Sequence, residues 1–261
     1  MKALFNSIYL CLLFFSAGVS ASACDSSLLQ MFASESSEAA FFKQLEAISL
    51  TANELGSKSN GGEIDSTALD KLMLLWLNFD KLYRLNPPFW AKKNDKWPEK
   101  FARISNQIGE IRQGFKDKNP VKVHELCLSL TRKLNLFVLE APGGEDKKIL
   151  ATLPLIYNDI EFSYKHKNKE MLIKKTKEYN ENVDRLLLAL ATDSRKLATG
   201  LHDASLNLCK LTESIASNSE LFSWRTSMYI KMTEEAYIQL NQKLLEVLKK
   251  EKGDAIDDKR Q

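Results

Sequence analysis

The chain has 261 residues, 44% of them apolar, and it carries 37 basic and 34 acidic side chains. Without Lys2, which precedes an apolar amino-terminal run, the balance is 36 − 34 = +2, and basic and acidic residues alternate along most of the sequence. Proteins that bind nucleic acid usually concentrate Lys and Arg on one face, so this composition excludes nucleic acid as the expected partner.

The first 23 residues follow the order of a signal peptide. Lys2 supplies a positive charge, residues 3–15 are almost all apolar, and residues 16–23 are mostly small. Ala21 and Ala23 fit the small-x-small cleavage rule. The apolar run is shorter than the roughly 20 residues that cross a bilayer, so it predicts a cleaved signal rather than a permanent anchor.

Cys24 directly follows this cleavage site, at the position where bacterial lipoproteins carry the cysteine that receives diacylglycerol. Acylation of Cys24 predicts a membrane tether, whereas ordinary cleavage after Ala21 or Ala23 predicts a diffusible protein. Lipoproteins usually have Leu at the position of Ala21, which favours ordinary cleavage. Either alternative predicts export, to the periplasm or to the periplasmic face of a membrane, with the extracellular space as the remaining location.

The number of cysteines bears on the same question. Cys11 leaves with the signal peptide, so the mature chain holds Cys24, Cys127 and Cys209. If Cys24 is acylated, Cys127 and Cys209 remain as a candidate disulfide pair in an oxidising compartment. Secretion without acylation leaves three thiols, of which one has no partner for a disulfide. The odd number of cysteines therefore mildly favours the acylated, tethered alternative.

From residue 27 onward, apolar side chains recur every three or four residues, which is the spacing of one face of an α-helix. No segment shows the two-residue alternation of a strand. Clusters of Gly, Pro and Asn separate the helical stretches. We predict helices at about 27–55, 66–85, 98–116, 120–140, 153–166, 169–192, 195–217 and 219–250, with a single kinked helix from near Asp146 as the alternative to a start at 153.

The predicted fold class is all-α, an antiparallel helical bundle of about six to eight helices after a cleaved signal peptide. Short connections between consecutive helices favour antiparallel neighbours. The predicted organisation is a signal peptide at 1–23, a bundle domain at 24–252 and a polar tail at 253–261. Residues 115–119 and 164–168 have similar sequences, which indicates either a duplicated helical hairpin or the same turn chemistry used twice.

The sequence lacks the motifs of several enzyme classes, including the Gly-x-Ser-x-Gly elbow, the Gly-rich phosphate loop and the paired-histidine zinc helix. His124 and Cys127 are three apart and share one side of a helix, so with Cys209 they form a candidate metal site. His202 lies about 10 Å along the axis from Cys209 and does not share an ion with it. The alternatives of a core position or a disulfide for Cys127 and Cys209 are the stronger ones.

Aromatic residues are concentrated between Trp76 and Trp97, on both sides of two consecutive prolines. Phe89, Trp90 and Trp97 are the candidate surface for a ligand or a partner, because a loop stiffened by prolines presents side chains at little entropic cost. The alternative is that Phe89 and Trp90 cover the end of the bundle.

The pattern as a whole predicts an exported, non-enzymatic binding or accessory protein that uses residues 86–97 to contact a protein or a small ligand. No cofactor is expected under this hypothesis. The alternative function is a metal- or haem-binding bundle in which His124 or His202 acts with Cys or Met ligands. Metal analysis and a visible absorption spectrum distinguish the two hypotheses.

Intact-mass measurement of the exported protein tests the amino-terminal predictions. We expect the signal peptide to be absent from the mature chain. A diacylglycerol adduct on Cys24 would establish the tether, and a free amine at Ser22 or Cys24 would establish a diffusible protein. Retention of residues 1–23 would contradict the signal peptide.

Overall fold

The computed structural model describes the backbone of residues 27–35, 38–63, 65–215 and 218–257, so Cys24 and the predicted signal peptide lie outside the described residues. Within these ranges the regular elements are helical and no strand occurs, which confirms the all-α prediction. Single-turn helices lie at Thr192–Arg195 and Asn218–Leu221, and 3-10 turns at Phe89–Ala91, Leu134–Phe137 and Lys196–Ala198. The nine longer helices of the described residues are α1 (Ser27–Glu35), α2 (Ala39–Asn60), α3 (Ser66–Tyr83), α4 (Trp97–Lys116), α5 (Pro120–Lys133), α6 (Glu145–Lys165), α7 (Lys169–Ala189), α8 (Thr199–Ser214) and α9 (Trp224–Asp257).

The helices pack in two groups. In the first group α2 packs against α3 and α5, and α4 packs against α5 and more sparsely against α3. In the second group α6 packs against α7, α7 against α8, and α8 against α9, which also contacts α6. Helix α1 contacts α2 and α9, so it joins the two groups, and one continuous apolar core runs through both.

Several predicted helix boundaries differ from the structure. The stretch 27–55 contains two helices, because the chain leaves α1 after Glu35 and begins α2 at Ala39. Helix α6 starts at Glu145, so the single-helix alternative is correct for this region. Helix α5 ends at Lys133 rather than near 140, and α9 begins at Trp224 and its backbone stays helical through Asp257 rather than ending near 250.

Pro154 lies inside α6 and leaves the carbonyl of Leu150 without its usual helical donor. The hydroxyl of Tyr237 on α9 donates to this carbonyl oxygen at 2.8 Å. A buried carbonyl without a partner is unfavourable, so the contact with α9 stabilises the proline in mid-helix.

Helices α2 and α5 approach closely at Gly56. A Cβ atom placed on Gly56 would lie 3.0 Å from the Cβ of Cys127, which is closer than most Cβ contacts in proteins. The carbonyl oxygen of Gly56 lies 2.8 Å from Nδ1 of His124. The absence of a side chain at Gly56 therefore favours this close approach of the two helices.

The turns after α4 and α6 have the same construction, which explains the similar sequences at 115–119 and 164–168. Lys118 and Lys167 both have φ of 52°, in the left-handed region. The amide of Asn119 donates to the carbonyl of Gly114 at 3.0 Å, and the corresponding bond from Asn168 measures 2.9 Å. Each Asn side chain then caps the following helix.

Replacing either left-handed lysine by glycine tests this turn geometry. We expect Lys118→Gly and Lys167→Gly each to stabilise the protein by about 1 kcal/mol, because glycine adopts a positive φ without the Cβ clash. The measurement is urea unfolding followed by circular dichroism. The control is Lys116→Gly, which lies within the last turn of α4 and should destabilise the protein by about 1 kcal/mol. A loss of stability in both turn variants would contradict the assigned turns.

Candidate functional site

The structure places Cys127 and Cys209 in the core of different helix pairs. Cys127 on α5 packs against Gly56 of α2, and Cys209 on α8 lies near Glu213; both are present as thiols. Burial, assisted by the Glu213 carboxylate, raises the pKa of the Cys209 thiol. A raised pKa lowers the thiolate fraction, and the thiolate is the form that binds metals and attacks electrophiles.

The rings of the three histidines contact different partners. His124 is half-buried with its Nδ1 directed at a backbone carbonyl, so Nδ1 carries the proton in that contact. Nε2 of His202 lies 3.4 Å from Asp184, and the ring of His166 stacks on Phe162. Among the described residues, no group of three or more His, Cys, Asp or Glu side chains is arranged to hold a metal ion.

Of the three predicted surface aromatics, one lies on the surface. Phe89 is 81% exposed, Trp90 is half-buried, and Trp97 is 2% exposed. The indole Nε1 of Trp97 donates to the carbonyl of Tyr83 at 2.8 Å. Trp90 and Trp97 belong to a group of packed rings, here named the aromatic cluster, whose members are Phe32, Phe41, Phe42, Trp76, Phe79, Tyr83, Trp90, Trp97, Phe101 and Phe137.

Sequence reasoning did not anticipate the rings from α1 and α2. Phe41 contacts Tyr83 at a centroid distance of 4.9 Å and Trp97 at 6.0 Å, and Phe42 stacks on Trp90 at 6.2 Å. The available signal was the pair of adjacent phenylalanines at 41 and 42, which continue the apolar stripe of α2 towards its amino terminus.

The loop that presents Phe89 is held at both ends. The amide of Phe89 donates to Oε1 of Glu38 at 2.9 Å, which connects the loop to the start of α2. Further along, the side chain of Asn94 and the ammonium of Lys100 both donate to the carboxylate of Glu140. These bonds fix the position of an exposed aromatic ring.

Next to this loop, α3 exposes a row of leucines. Leu74 is 60% exposed and Leu77 is 63% exposed, on the side opposite the buried Trp76 and Phe79. At 100° per residue, the exposed leucines of α3 lie within an arc of about 140°. The name α3 surface is used here for these leucines together with the two exposed apolar residues that follow the helix, so that it comprises Leu74, Leu77, Leu82, Leu85 and Phe89.

Lysines surround the α3 surface. Lys81 lies between Leu77 and Leu85 on the helix face, and Lys92 places its ammonium 5.6 Å from the centre of the Phe89 ring. The exposed charged residues of this region that form no ion pair are the lysines Lys71, Lys81, Lys92, Lys93 and Lys96 and the acids Asp70, Asp95 and Glu99. Five lysines against three acids give a local excess of 5 − 3 = +2.

A buried ionic cluster lies between the two helix groups. Arg132 of α5, 5% exposed, donates to Glu161 at 2.6 Å and to Asn158 at 3.1 Å, both on α6. It also donates to Glu234 of α9, and its guanidinium lies 4.5 Å from the centre of the Tyr157 ring. One side chain therefore connects the first group to two helices of the second.

A cavity of about 40 Å³ adjoins this cluster and is lined by Arg132, Tyr157, Tyr179 and Glu234 among others. Its size suits a few water molecules. The hydroxyl of Tyr157 donates to Glu234 at 3.3 Å, and burial, assisted by that carboxylate, raises the pKa of Tyr157 well above its ordinary value. Burial likewise raises the pKa of Tyr179, so both tyrosines stay protonated and neither acts as a base near neutral pH.

Neither a protein-family model, nor a curated protein, nor a solved structure is significantly similar to this chain. Among the helices of the described residues, none is both long enough and apolar enough to cross a bilayer. The described residues thus define an all-helical protein with an exposed apolar and basic surface on and after α3 and a buried ionic cluster between the helix groups.

Removing the arginine tests the role of the ionic cluster. We expect Arg132→Met to reduce the free energy of unfolding by about 3 kcal/mol, because Glu161 and Glu234 lose the cation that compensates their burial. The double variant Arg132→Met, Glu234→Leu should recover part of this loss. Urea unfolding gives both values.

The matched control is Lys165→Met, which removes an exposed ion pair with Glu125. Such pairs contribute little, so we expect a change within about 0.5 kcal/mol. Equal effects of Arg132→Met and Lys165→Met would show that the buried cluster does not connect the helix groups energetically.

Proposed function

We propose that this protein is an exported, non-enzymatic helical bundle that acts by binding a partner through the α3 surface, either in the periplasm or at a membrane. The observation that carries the proposal is the exposure of five large apolar side chains on one helix face and the adjoining loop. Large apolar side chains exposed together on one part of a protein usually mark an interaction site.

The energetics favour a partner. Burying a leucine or phenylalanine that was exposed contributes about 1.5–3 kcal/mol, so a partner that covers even Leu77, Leu85 and Phe89 gains substantial free energy. In the folded chain alone these side chains remain in water. The favourable contribution becomes available only on binding.

Hydrogen bonds and packing hold the helix that carries the α3 surface. The indole of Trp76 donates to the hydroxyl of Ser105 on α4 at 3.0 Å, and Asp65 caps the first turn of α3 through the amides of Thr67 and Ala68. The aromatic cluster packs beneath the helix. A surface that is ordered before binding loses little conformational entropy on association.

Two features support the bundle and export parts of the proposal. Consecutive helices such as α4 and α5 pack against each other across tight turns, as neighbours in an antiparallel bundle do. The order of residues 1–23 is that of a signal peptide, so the α3 surface would face an extracytoplasmic compartment.

Photo-crosslinking in cells tests the proposal. A photoreactive phenylalanine analogue in place of Leu77 reports contacts of the α3 surface, and the same analogue in place of Leu188 is the matched control. Leu188 lies on α7 in the second helix group and is 77% exposed. We expect adducts with a defined partner, either protein or lipid, from position 77 and none from position 188.

Two results would contradict this proposal. One is an equal yield of adducts at the two positions, which would mean that the α3 surface has no special partner. The other is the absence of adducts at both positions in a protein that is exported and folded.

A further inference from the structure

We infer that the partner of the α3 surface is the face of an anionic phospholipid membrane. This inference rests on the proposed function, because it names the partner of the same surface. It is argued from the arrangement of leucines and lysines, from their charge, and from the position of the surface relative to the amino terminus.

The residues have the arrangement of an interfacial helix. Leu74, Leu77 and Leu82 project from the outer side of α3, and Phe89 projects from the loop that follows. Apolar side chains of this kind bury themselves at the boundary between lipid headgroups and acyl chains. A membrane accepts side chains that project from a single helix, whereas a helix-binding protein has to supply a matching groove.

The lysines suit an anionic surface. Lys81 lies among the leucines, and long lysine side chains extend their ammonium groups to the headgroups while the stem stays in the apolar layer. The local excess of +2 attracts anionic lipid, at about 1 kcal/mol for each lysine close to the surface. Lys92 lies next to the Phe89 ring at the tip of the loop, so this pair offers a headgroup contact and an apolar contact at the same place.

The same charges disfavour a second copy of this chain as the partner. A two-fold dimer through the α3 surface would place the two basic surfaces opposite each other. A two-fold axis close to Lys81 would bring the two Lys81 ammonium groups together, because Lys81 lies among the leucines. Repulsion between like charges opposes this arrangement.

The amino terminus lies close to the α3 surface along the chain. Phe89 is hydrogen-bonded to Glu38, between α1 and α2, and α1 begins at Ser27, three residues after Cys24. An acylated Cys24 would hold this part of the chain at the membrane.

Vesicle co-sedimentation of the exported protein, with its amino terminus verified by mass, tests the inference. The probes are vesicles of phosphatidylglycerol and vesicles of phosphatidylcholine. We expect binding to phosphatidylglycerol that weakens with salt, and weaker binding to phosphatidylcholine. Leu77→Glu and Leu85→Glu should each reduce the partition coefficient roughly tenfold, and Leu188→Glu should leave it unchanged.

All variants carry the same group at Cys24, so their comparison isolates the α3 surface from any acyl chain. Circular dichroism verifies that each variant is folded. Replacing three lysines together, as Lys81→Gln, Lys92→Gln and Lys93→Gln, should weaken binding to phosphatidylglycerol and reduce its dependence on salt.

The outcomes separate this inference from the proposed function. Equal binding of Leu77→Glu and Leu188→Glu to vesicles would overturn the membrane partner, as would self-association that Leu77→Glu abolishes. If position 77 crosslinks to a protein in cells and no vesicle binding depends on Leu77, the proposed function stands and the membrane inference fails. If position 77 gives no adduct at all, the proposed function fails first.

Discussion

The packing of aromatic rings beneath α3 determines which face of this helix is exposed to solvent. The α3 surface is exposed for this reason. Trp76 and Phe79 of α3 pack against Phe101 and Phe137 at centroid distances of 5.6 and 5.5 Å. Each buried aromatic ring removes about 150–250 Å² from water, more than a leucine does. The rotation of α3 that buries the rings is therefore favoured, although it leaves the leucines exposed.

The packing of the two helix groups against each other also depends on the contacts that α9 makes. Glu234 accepts from Arg132 of the first group, and Tyr237 three residues later completes the hydrogen bonding of α6 at Leu150. A buried ion pair seldom adds more stability than apolar residues of the same shape. The ion pairs contribute specificity of packing here, because Arg132 determines which sides of α5, α6 and α9 contact one another.

Local sequence signals predicted most of the helices but not where every one ends. The segment between Glu35 and Ala39 contains neither glycine nor proline, and its two serines, at 36 and 37, are a weaker signal than the glycine and proline clusters elsewhere. Conversely, Pro154 is a strong local signal for a helix start, and the structure keeps it inside α6 because Tyr237 supplies the missing donor. At Pro154 a tertiary contact therefore overrides the local preference.

For the predicted site residues, position along the sequence did not show which side chains are buried and which are exposed. Trp90 and Trp97 were grouped with Phe89 because all three adjoin the same prolines, yet only Phe89 is exposed in the structure. The exposed leucines of α3 were not predicted because apolar side chains occur on both faces of this helix, so their spacing alone does not show which face is buried.

The sequence by itself determined the helical character of the chain, and it predicts export, because both depend on the order and spacing of neighbouring residues. Only the tertiary structure decided which of the two apolar faces of α3 is buried. It also decided that Phe41 meets Trp97 and that Arg132 meets Glu234. These pairs are far apart in the chain, and no local pattern encodes which of many apolar or charged side chains will come together.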